Sequence, residues 1–328
     1  MTNRSLLDRS IVTVLNHPDP TPSMKDGVSA STERLHRLHG TSLIFCCSRL
    51  LKLSASTYAT ACTIFHRFFH QVSLKQASVW SIAMGSTLLA AKTEEAQLPI
   101  RSIILVFTHL YRRHRLIITN DEECKTIVKH AGAAVDPLSQ TLTVEAKELH
   151  LKSDLTGLSS LGPIWKDWYD EIISAENAIL RQLGFTLHWI QDQHPHKFIL
   201  YFLRVLQVED NLSKTDYAKF AQRAWNYCND CYRLDLCIRF DSEVLACTVI
   251  YLTALDCNVV LPDDWWQVLC GKGKEAQIST GANAVLGLLE SNGSTAAASM
   301  AFLTSLVPGG SFNDPDSFLW ESTVVADP

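Results

Sequence analysis

The chain of 328 residues is long enough to form two domains of ordinary size, each with its own hydrophobic core. Hydrophobic residues make up 47% of the chain and charged residues 19%, a balance typical of a well-packed globular protein. The formal net charge of -5 argues against direct binding to DNA or RNA, because proteins that bind nucleic acid usually carry a basic face.

The sequence predicts neither an export signal nor a membrane segment. The N-terminal apolar run is interrupted by Asp8 and Arg9, unlike the apolar core of a signal peptide. The longest apolar stretch, Ser81 to Ala91, is far shorter than the roughly 20 residues of a membrane-spanning helix. We therefore expect a reducing compartment, in which the 10 cysteines are free thiols.

The first half of the chain predicts a mobile arm and then four helices. Residues 1–30 are rich in Pro, Asp and Ser and show weak periodicity, which is typical of a mobile N-terminal arm. Apolar residues then recur at helical spacing. The predicted helices run from Ser31 to Leu53, from Ser54 through Phe69, from about Leu74 to Ala91, and from Pro99 toward Arg115. The third is apolar nearly all round, which predicts a helix surrounded by the others.

The second half predicts an insertion, six further helical segments and a flexible tail. Residues 117–163 lose the helical pattern and are interpreted as an insertion of unknown role. The helical segments are Trp165–Leu183, Phe198–Val208, Tyr217–Tyr232, Val244–Leu255, Trp265–Leu269 and Ala276–Leu289. Thr186 to Ile190 could form a short extended linker, and residues 291–328 have the composition of a flexible tail. The predicted class is all-α.

The motifs of common enzymes and metal sites are missing or isolated. The sequence contains none of the common phosphate-binding or nucleophile-elbow motifs. Cys228 and Cys231 have the spacing of a metal or redox pair but lack a second pair, and they lie within an apolar helical stretch. His66 and His70 lie one turn apart, but the glutamate that follows the first histidine in zinc proteases is missing, so helix packing or a surface role is expected. His194 and His196 flank Pro195 and could chelate a metal in isolation, but we expect Pro195 to begin and cap the following helix. We therefore expect no catalytic site, metal or cofactor.

Two charged residues stand out because they lie within apolar helices. Lys92 and two carboxylates end the most buried-looking helix, and Glu176 lies among apolar neighbours, where an ionised side chain is costly unless it is paired. The pair could form an internal salt bridge. It could equally form a clamp, in which Lys92 donates to the backbone carbonyls of a partner and Glu176 accepts from its N–H groups.

Three long segments of the sequence resemble L-type cyclins. The segment FHRFFHQVSLKQASVWSIAMGSTLLAAKTEEAQLPIRSIILVF is similar to their first cyclin box, and AENAILRQLGFTLHWIQDQHPHKFILYFLRVL continues the likeness. AWNYCNDCYRLDLCIRFDSEVLACTVIYLTAL resembles their second cyclin box. The resemblance implies two tandem five-helix domains, at residues 31–190 and 191–290. It covers residues 32–289 apart from the insertion and is more specific than any short motif.

The resemblance also implies a binding surface for a cyclin-dependent protein kinase. The lysine of the AxKxEE motif and the glutamate of the fifth helix map to Lys92 and Glu176, and Leu89, Glu95 and Leu180 would complete the kinase-binding surface. The implied function is that of a nuclear, non-enzymatic cyclin that activates a kinase in RNA polymerase II transcription or pre-mRNA processing.

The chain departs from the family pattern in three places. His66 precedes Arg67 where many cell-cycle cyclins have Asp, which puts an internal Arg–Asp bridge between the first two helices in doubt. The arginine-serine-rich tail of animal L-type cyclins is absent, and the insertion is longer than expected.

A second hypothesis remains open: a cyclin-fold transcription scaffold that binds DNA or polymerase without a kinase. It requires a basic face, for which Arg112, Arg113 and Arg115 are the candidates. Three cations at the end of one helix more often form a solvated surface that suits the helix dipole.

Overall fold

The computed structural model describes residues 20–118, 163–185, 187, 190, 194–208 and 212–292, with the backbone alone at 111–118, 163–164 and 290–292. Every regular element within these ranges is an α-helix, which confirms the predicted all-α class. The helices are α1 Pro22–Lys25, α2 Ala30–Leu50, α3 Ala55–Phe69, α4 Val79–Thr93, α5 Ile100–Ile118, α6 Pro163–Gln182, α7 His196–Val205, α8 Lys214–Cys231, α9 Leu236–Arg239, α10 Ser242–Cys257, α11 Trp265–Leu269 and α12 Glu275–Asn292.

The first bundle is built around α4, which packs against α2, α3, α5 and α6. Ser78 begins α4 by accepting a hydrogen bond from the backbone N–H of Ser81, and every residue from Val79 to Ala91 is buried. The helix therefore occupies the central position predicted from its apolar sequence. It begins later than predicted because the Ser78 side chain caps it, while Leu74 is buried in the preceding loop.

A glycine sets the close contact between α4 and α6. A Cβ atom placed on Gly85 would lie 2.9 Å from the Cβ of Ala175, closer than two carbon side chains can approach. The interface between these two helices, here called the α4–α6 seam, also contains a hydrogen bond from the Ser81 hydroxyl to the Glu171 carboxylate. The relative position of these two helices therefore depends on a position without a side chain.

The second bundle repeats this arrangement around α10. This helix packs against α7, α8 and α12, and its residues from Val244 to Ile250 are buried. It ends at Asn258, whose left-handed backbone, with φ of 53°, closes the last turn. The structure thus contains the two tandem bundles that the resemblance implies, while the exact domain boundaries remain a prediction.

Part of the predicted mobile arm is packed against the first bundle. The Ser23 side chain is fully buried and accepts a hydrogen bond of 3.1 Å from the backbone N–H of Leu74. Thr21 donates to the buried carboxylate of Glu33. Residues 20–30 are therefore ordered by polar contacts that their composition did not reveal, and residues 1–19 lie outside the described part of the chain.

Helices α2 and α3 are joined by a buried arginine of α2. Arg37 pairs with Glu33 at 2.7 Å and donates to the backbone carbonyls of His66 and Phe69, at the C-terminal end of α3. The carbonyl of Phe69 receives no backbone N–H from any described residue, and a cation at the C-terminal end of α3 also suits the helix dipole. The connection between α2 and α3 was in doubt because His66 stands where many cell-cycle cyclins have Asp. Arg37 and the backbone carbonyls of α3 make this connection instead.

Buried histidines connect the two bundles. Nε2 of His66 lies 3.1 Å from the carbonyl oxygen of Tyr232, and Nε2 of His70 lies 3.0 Å from Asp235. His194 lies between Thr60 of the first bundle and the Tyr232 hydroxyl of the second. Within the second bundle, His196 stacks on the Tyr232 ring and hydrogen-bonds Asn229. Pro195 occupies the cap position at the start of α7, as predicted, but it makes no side-chain capping bond, and both flanking histidines are buried.

We predict that Gly85→Ala destabilises the fold by about 1–3 kcal/mol, because the added methyl forces α4 away from α6. The matched control is Gly287→Ala in α12, where a Cβ atom meets nothing within 4 Å. The control should leave the free energy of unfolding unchanged or raise it by about 0.5–1 kcal/mol. Denaturant unfolding of both variants tests this, and equal effects at the two sites would contradict the account of the seam.

We also predict that the protein loses stability as the pH falls from 6.5 toward 4. Burial lowers the pKa of His66 to about 3 and that of His196 to about 4, so the unfolded chain binds more protons in this range. Each such histidine then costs about 1.4 kcal/mol per pH unit below 6.5. Burial raises the pKa of Asp230 to about 6, and this carboxyl offsets part of the loss.

Urea unfolding between pH 7 and pH 4.5 measures this slope. His196→Gln should reduce the slope, since one buried titrating group is removed, even if it also lowers stability at pH 7. A free energy of unfolding that stays constant or rises as the pH falls would refute the assignment.

Candidate partner-binding surface

The C-terminal end of α4 brings Lys92 to the protein surface. Lys92 occupies the last turn of the helix, which ends at the cap residue Glu94. The Nζ atom of Lys92 lies 2.5 Å from Oε1 of Glu176 on α6. The contact joins the two helices whose spacing Gly85 fixes, so the α4–α6 seam positions both charges.

The pair is formed within the chain but is not sealed by it. The Lys92 side chain is 53% exposed and that of Glu176 is 12% exposed. Glu176 lies beside the buried residues Ala175 and Ile179, so Lys92 supplies the counter-charge that its partly buried carboxylate needs. The internal bridge therefore exists in the free protein, and a partner can still reach Lys92.

The other residues predicted for this surface differ in accessibility. Glu95 is exposed and has a left-handed backbone, with φ of 54°. Leu180 is half-buried one helical turn beyond Glu176. Leu89 is only 3% exposed and belongs to the hydrophobic core. Leu89 was predicted to complete the partner-binding surface, but it is buried in the free protein because α4 is enclosed by helices until its last turn. Its contribution to partner binding stays a prediction.

Glu94 has a separate role that the sequence analysis missed. Its carboxylate accepts a 2.6 Å hydrogen bond from Thr60, and it lies 3.6 Å from Nε2 of His194. The nearby His194 imidazole is the main cause that holds the pKa of Glu94 below its ordinary value. Nδ1 of the same histidine lies 2.9 Å from the Tyr232 hydroxyl. Two neighbouring charges of one motif therefore serve different contacts: Lys92 faces solvent and Glu94 faces the second bundle.

Cys228 and Cys231, whose spacing is that of a metal or redox pair, are fully buried in the core. Burial raises the pKa of the Cys228 and Cys231 thiols well above the ordinary value, which keeps them protonated. Within the described ranges, no three His, Cys, Asp or Glu side chains are grouped to hold a metal ion. No described helix is long and apolar enough to cross a bilayer.

Two predicted features lie wholly or largely outside the described residues. The side chains of Arg112, Arg113 and Arg115 are not described, so the basic face of the scaffold hypothesis stays untested. Nearly all of the predicted insertion at 117–163 and most of the linker at 186–190 are likewise outside the described residues.

Comparison with known proteins gives a consistent family. The cyclin N-terminal domain matches residues 13–123. Cyclin-L1 of Xenopus laevis is 34% identical over 257 residues, which cover 78% of this chain and 42% of that protein. Cyclin-L1-1 of Oryza sativa subsp. japonica is 32% identical over 76% of this chain and 47% of its own length. Cyclin-L1 of Homo sapiens is 33% identical over 78% of this chain and 40% of its own length. The chain thus spans less than half the length of these relatives.

A solved structure supports the fold at low sequence identity. A chain in the crystal structure of the yeast RNA Pol II CTD kinase CTDK-1 complex superposes with a TM-score of 0.55 and 11% identity. The superposition covers 80% of this chain and 67% of that chain, and at this identity it speaks for the fold alone. The matched domain and the relatives show that this chain belongs to the cyclin family, in which it is similar to the L-type cyclins.

Proposed function

We propose that this chain is a regulatory cyclin that binds and activates a cyclin-dependent protein kinase. The observation that carries the proposal is the Lys92–Glu176 pair, which is held at the α4–α6 seam with the lysine head group open to solvent. A core packing role would not require an exposed ammonium group. An ammonium group with three donors is suited to bind the backbone carbonyls of a partner's loop.

In the proposed complex, the kinase exchanges part of the internal bridge for contacts across the interface. Lys92 donates to carbonyls of the kinase and Glu176 accepts from its backbone N–H groups, while the half-buried Leu180 packs against its mobile helix. Glu95, exposed beside Lys92, lies at the rim of this surface. Leu89 contributes indirectly by holding the last turn of α4 in place.

Activation then follows from a shift in population. The cyclin binds the active arrangement of the kinase more tightly than the inactive one. This difference in affinity favours the conformation in which the kinase's own Lys–Glu pair and activation loop are correctly positioned. The cyclin supplies no catalytic group in this mechanism, and it requires no cofactor.

We predict that Lys92→Ala combined with Glu176→Ala weakens kinase binding by about 30-fold, or about 2 kcal/mol, because both contacts to the partner backbone are lost. The fold should change little, since an ion pair with a half-exposed lysine contributes at most about 1 kcal/mol. Binding is measured by surface plasmon resonance against a recombinant cyclin-dependent kinase that forms a stable complex with the wild-type chain.

The matched control removes an exposed ion pair from the second bundle. Lys219 and Asp216 lie 3.1 Å apart on α8, and both are exposed. Replacing both with Ala should change kinase affinity less than twofold. If the Lys92/Glu176 double variant stays folded and binds the kinase as tightly as the wild type, the clamp is excluded.

We further propose that the complex acts in the nucleus, in RNA polymerase II transcription or pre-mRNA processing. The similarity to L-type cyclins supports this role, and the structural neighbour is part of a kinase complex for the polymerase C-terminal domain. The purified complex should phosphorylate a peptide of the polymerase C-terminal repeats, and the Lys92/Glu176 variant should lose that stimulation. A fluorescent fusion should be nuclear, and a stable exclusion from the nucleus would contradict this role.

A further inference from the structure

Helix α7 carries an apolar and basic face that the described chain leaves open to solvent. Leu200 is 53% exposed, Tyr201 is 63% exposed and Val205 is 42% exposed. At 100° per residue, Lys197 and Arg204 lie near the centre of this face, between Leu200 on one side and Tyr201 and Val205 on the other. Large apolar side chains that are grouped on one helix face commonly mark a binding surface.

The charges of this face indicate the chemistry of the partner that it would bind. Lys197 and Arg204 are exposed cations, and none of the ion pairs between described residues involves Arg204. Carboxylates interspersed with large apolar side chains would satisfy both features at once, with the apolar groups covering Leu200 and Tyr201. The α7 face is therefore complementary to an acidic segment that contains aromatic residues.

The chain itself contains such a segment beyond α12. Residues 293–328 contain Asp314, Asp316, Glu321 and Asp327 but no Lys or Arg. Asp316 and Glu321 flank the apolar triplet Phe318, Leu319 and Trp320. We propose that residues 314–321, the acidic-aromatic segment, dock on the α7 face of the same chain.

The connection is long enough to permit this contact. Helices α12 and α7 both pack against α10, so the end of α12 lies within the same bundle as the proposed docking face. The 21 residues from 293 to 313 span a root-mean-square distance of about 25 Å when flexible. A tether of this length gives an effective concentration of about 1 mM, so a segment with an intrinsic Kd of about 0.1 mM is docked about nine-tenths of the time.

A second apolar surface on the same bundle is a poorer match for this segment. The groove beside α11 is lined by Trp265 and Trp266 but also by Asp263 and Asp264. These carboxylates would repel an acidic segment, whereas Lys197 and Arg204 attract it. The charge pattern therefore assigns the segment to α7.

The proposal is tested with a fluorescein-labelled peptide of residues 311–325. The receptor is the full chain carrying Phe318→Ser, Leu319→Ser and Trp320→Ser, in which the chain's own segment cannot dock. Fluorescence anisotropy should show saturable binding, and adding Lys197→Glu with Arg204→Glu should weaken it at least tenfold. Lys272→Glu, at an exposed lysine outside α7, is the matched control and should change the Kd less than twofold.

Competition distinguishes the chain's own segment from an acidic segment of another protein. The wild-type chain should bind the labelled peptide about tenfold more weakly than the triple-serine variant, independently of protein concentration, because its own segment already occupies the face. Equal binding by the two chains would mean that the face is empty and open to another protein, and it would overturn the proposal. Absence of binding up to 1 mM peptide, or competition that appears only at high protein concentration, would also overturn it.

A charge exchange provides an independent measurement in the full chain. Asp316→Lys with Glu321→Lys should speed hydrogen exchange of the α7 amides several-fold, and so should Lys197→Glu with Arg204→Glu. Combining the two pairs should restore slow exchange, since opposite charges face each other again. Additive effects with no restoration would refute a direct contact.

Discussion

The close packing of α4 against α6 is the constraint on which the candidate surface depends. Gly85 allows the two helices to approach until a methyl group would collide with Ala175. This spacing brings Lys92 within 2.5 Å of Glu176, although the two residues are 84 positions apart in the chain. The surface is thus built on rigid helices, and its geometry is determined by the packing of the core below it.

The end of α4 also connects this surface to the second bundle. Lys92 turns outward, whereas Glu94, two residues later, accepts a hydrogen bond from Thr60 and lies against His194. A buried network through Tyr232 continues from that histidine. The last turn of α4 is therefore fixed from two sides, which limits the movement available to Lys92 before a partner binds.

The helical architecture was largely predictable because it is encoded by apolar periodicity. Every predicted helical segment corresponds to a helix of the structure, and the all-round apolar character of α4 correctly indicated its central position. An internal Lys92–Glu176 contact was one of the two alternatives that the sequence left open, since a carboxylate in an apolar helix needs a counter-charge. The burial of α4 is thus a property that can be predicted from its local sequence.

Contacts between distant polar residues were not predictable by the same reasoning. The short helix α1 depends on a hydrogen bond between Ser23 and Leu74. His194 joins Thr60 of the first bundle to Tyr232 of the second, where local rules indicated only the start of a helix. Leu89 follows the apolar pattern equally well whether it is enclosed or exposed. In each case the deciding neighbour is far away in the sequence, so periodicity and capping rules contain no information about it.

The central claim is that Lys92 and Glu176 hold the backbone of a kinase, and a structure of the complex tests it most directly. Cryo-electron microscopy of the chain with its kinase should place Nζ of Lys92 within about 3 Å of a kinase carbonyl oxygen, with Glu176 facing kinase N–H groups. A complex in which both side chains remain paired only with each other, outside the interface, would contradict the account.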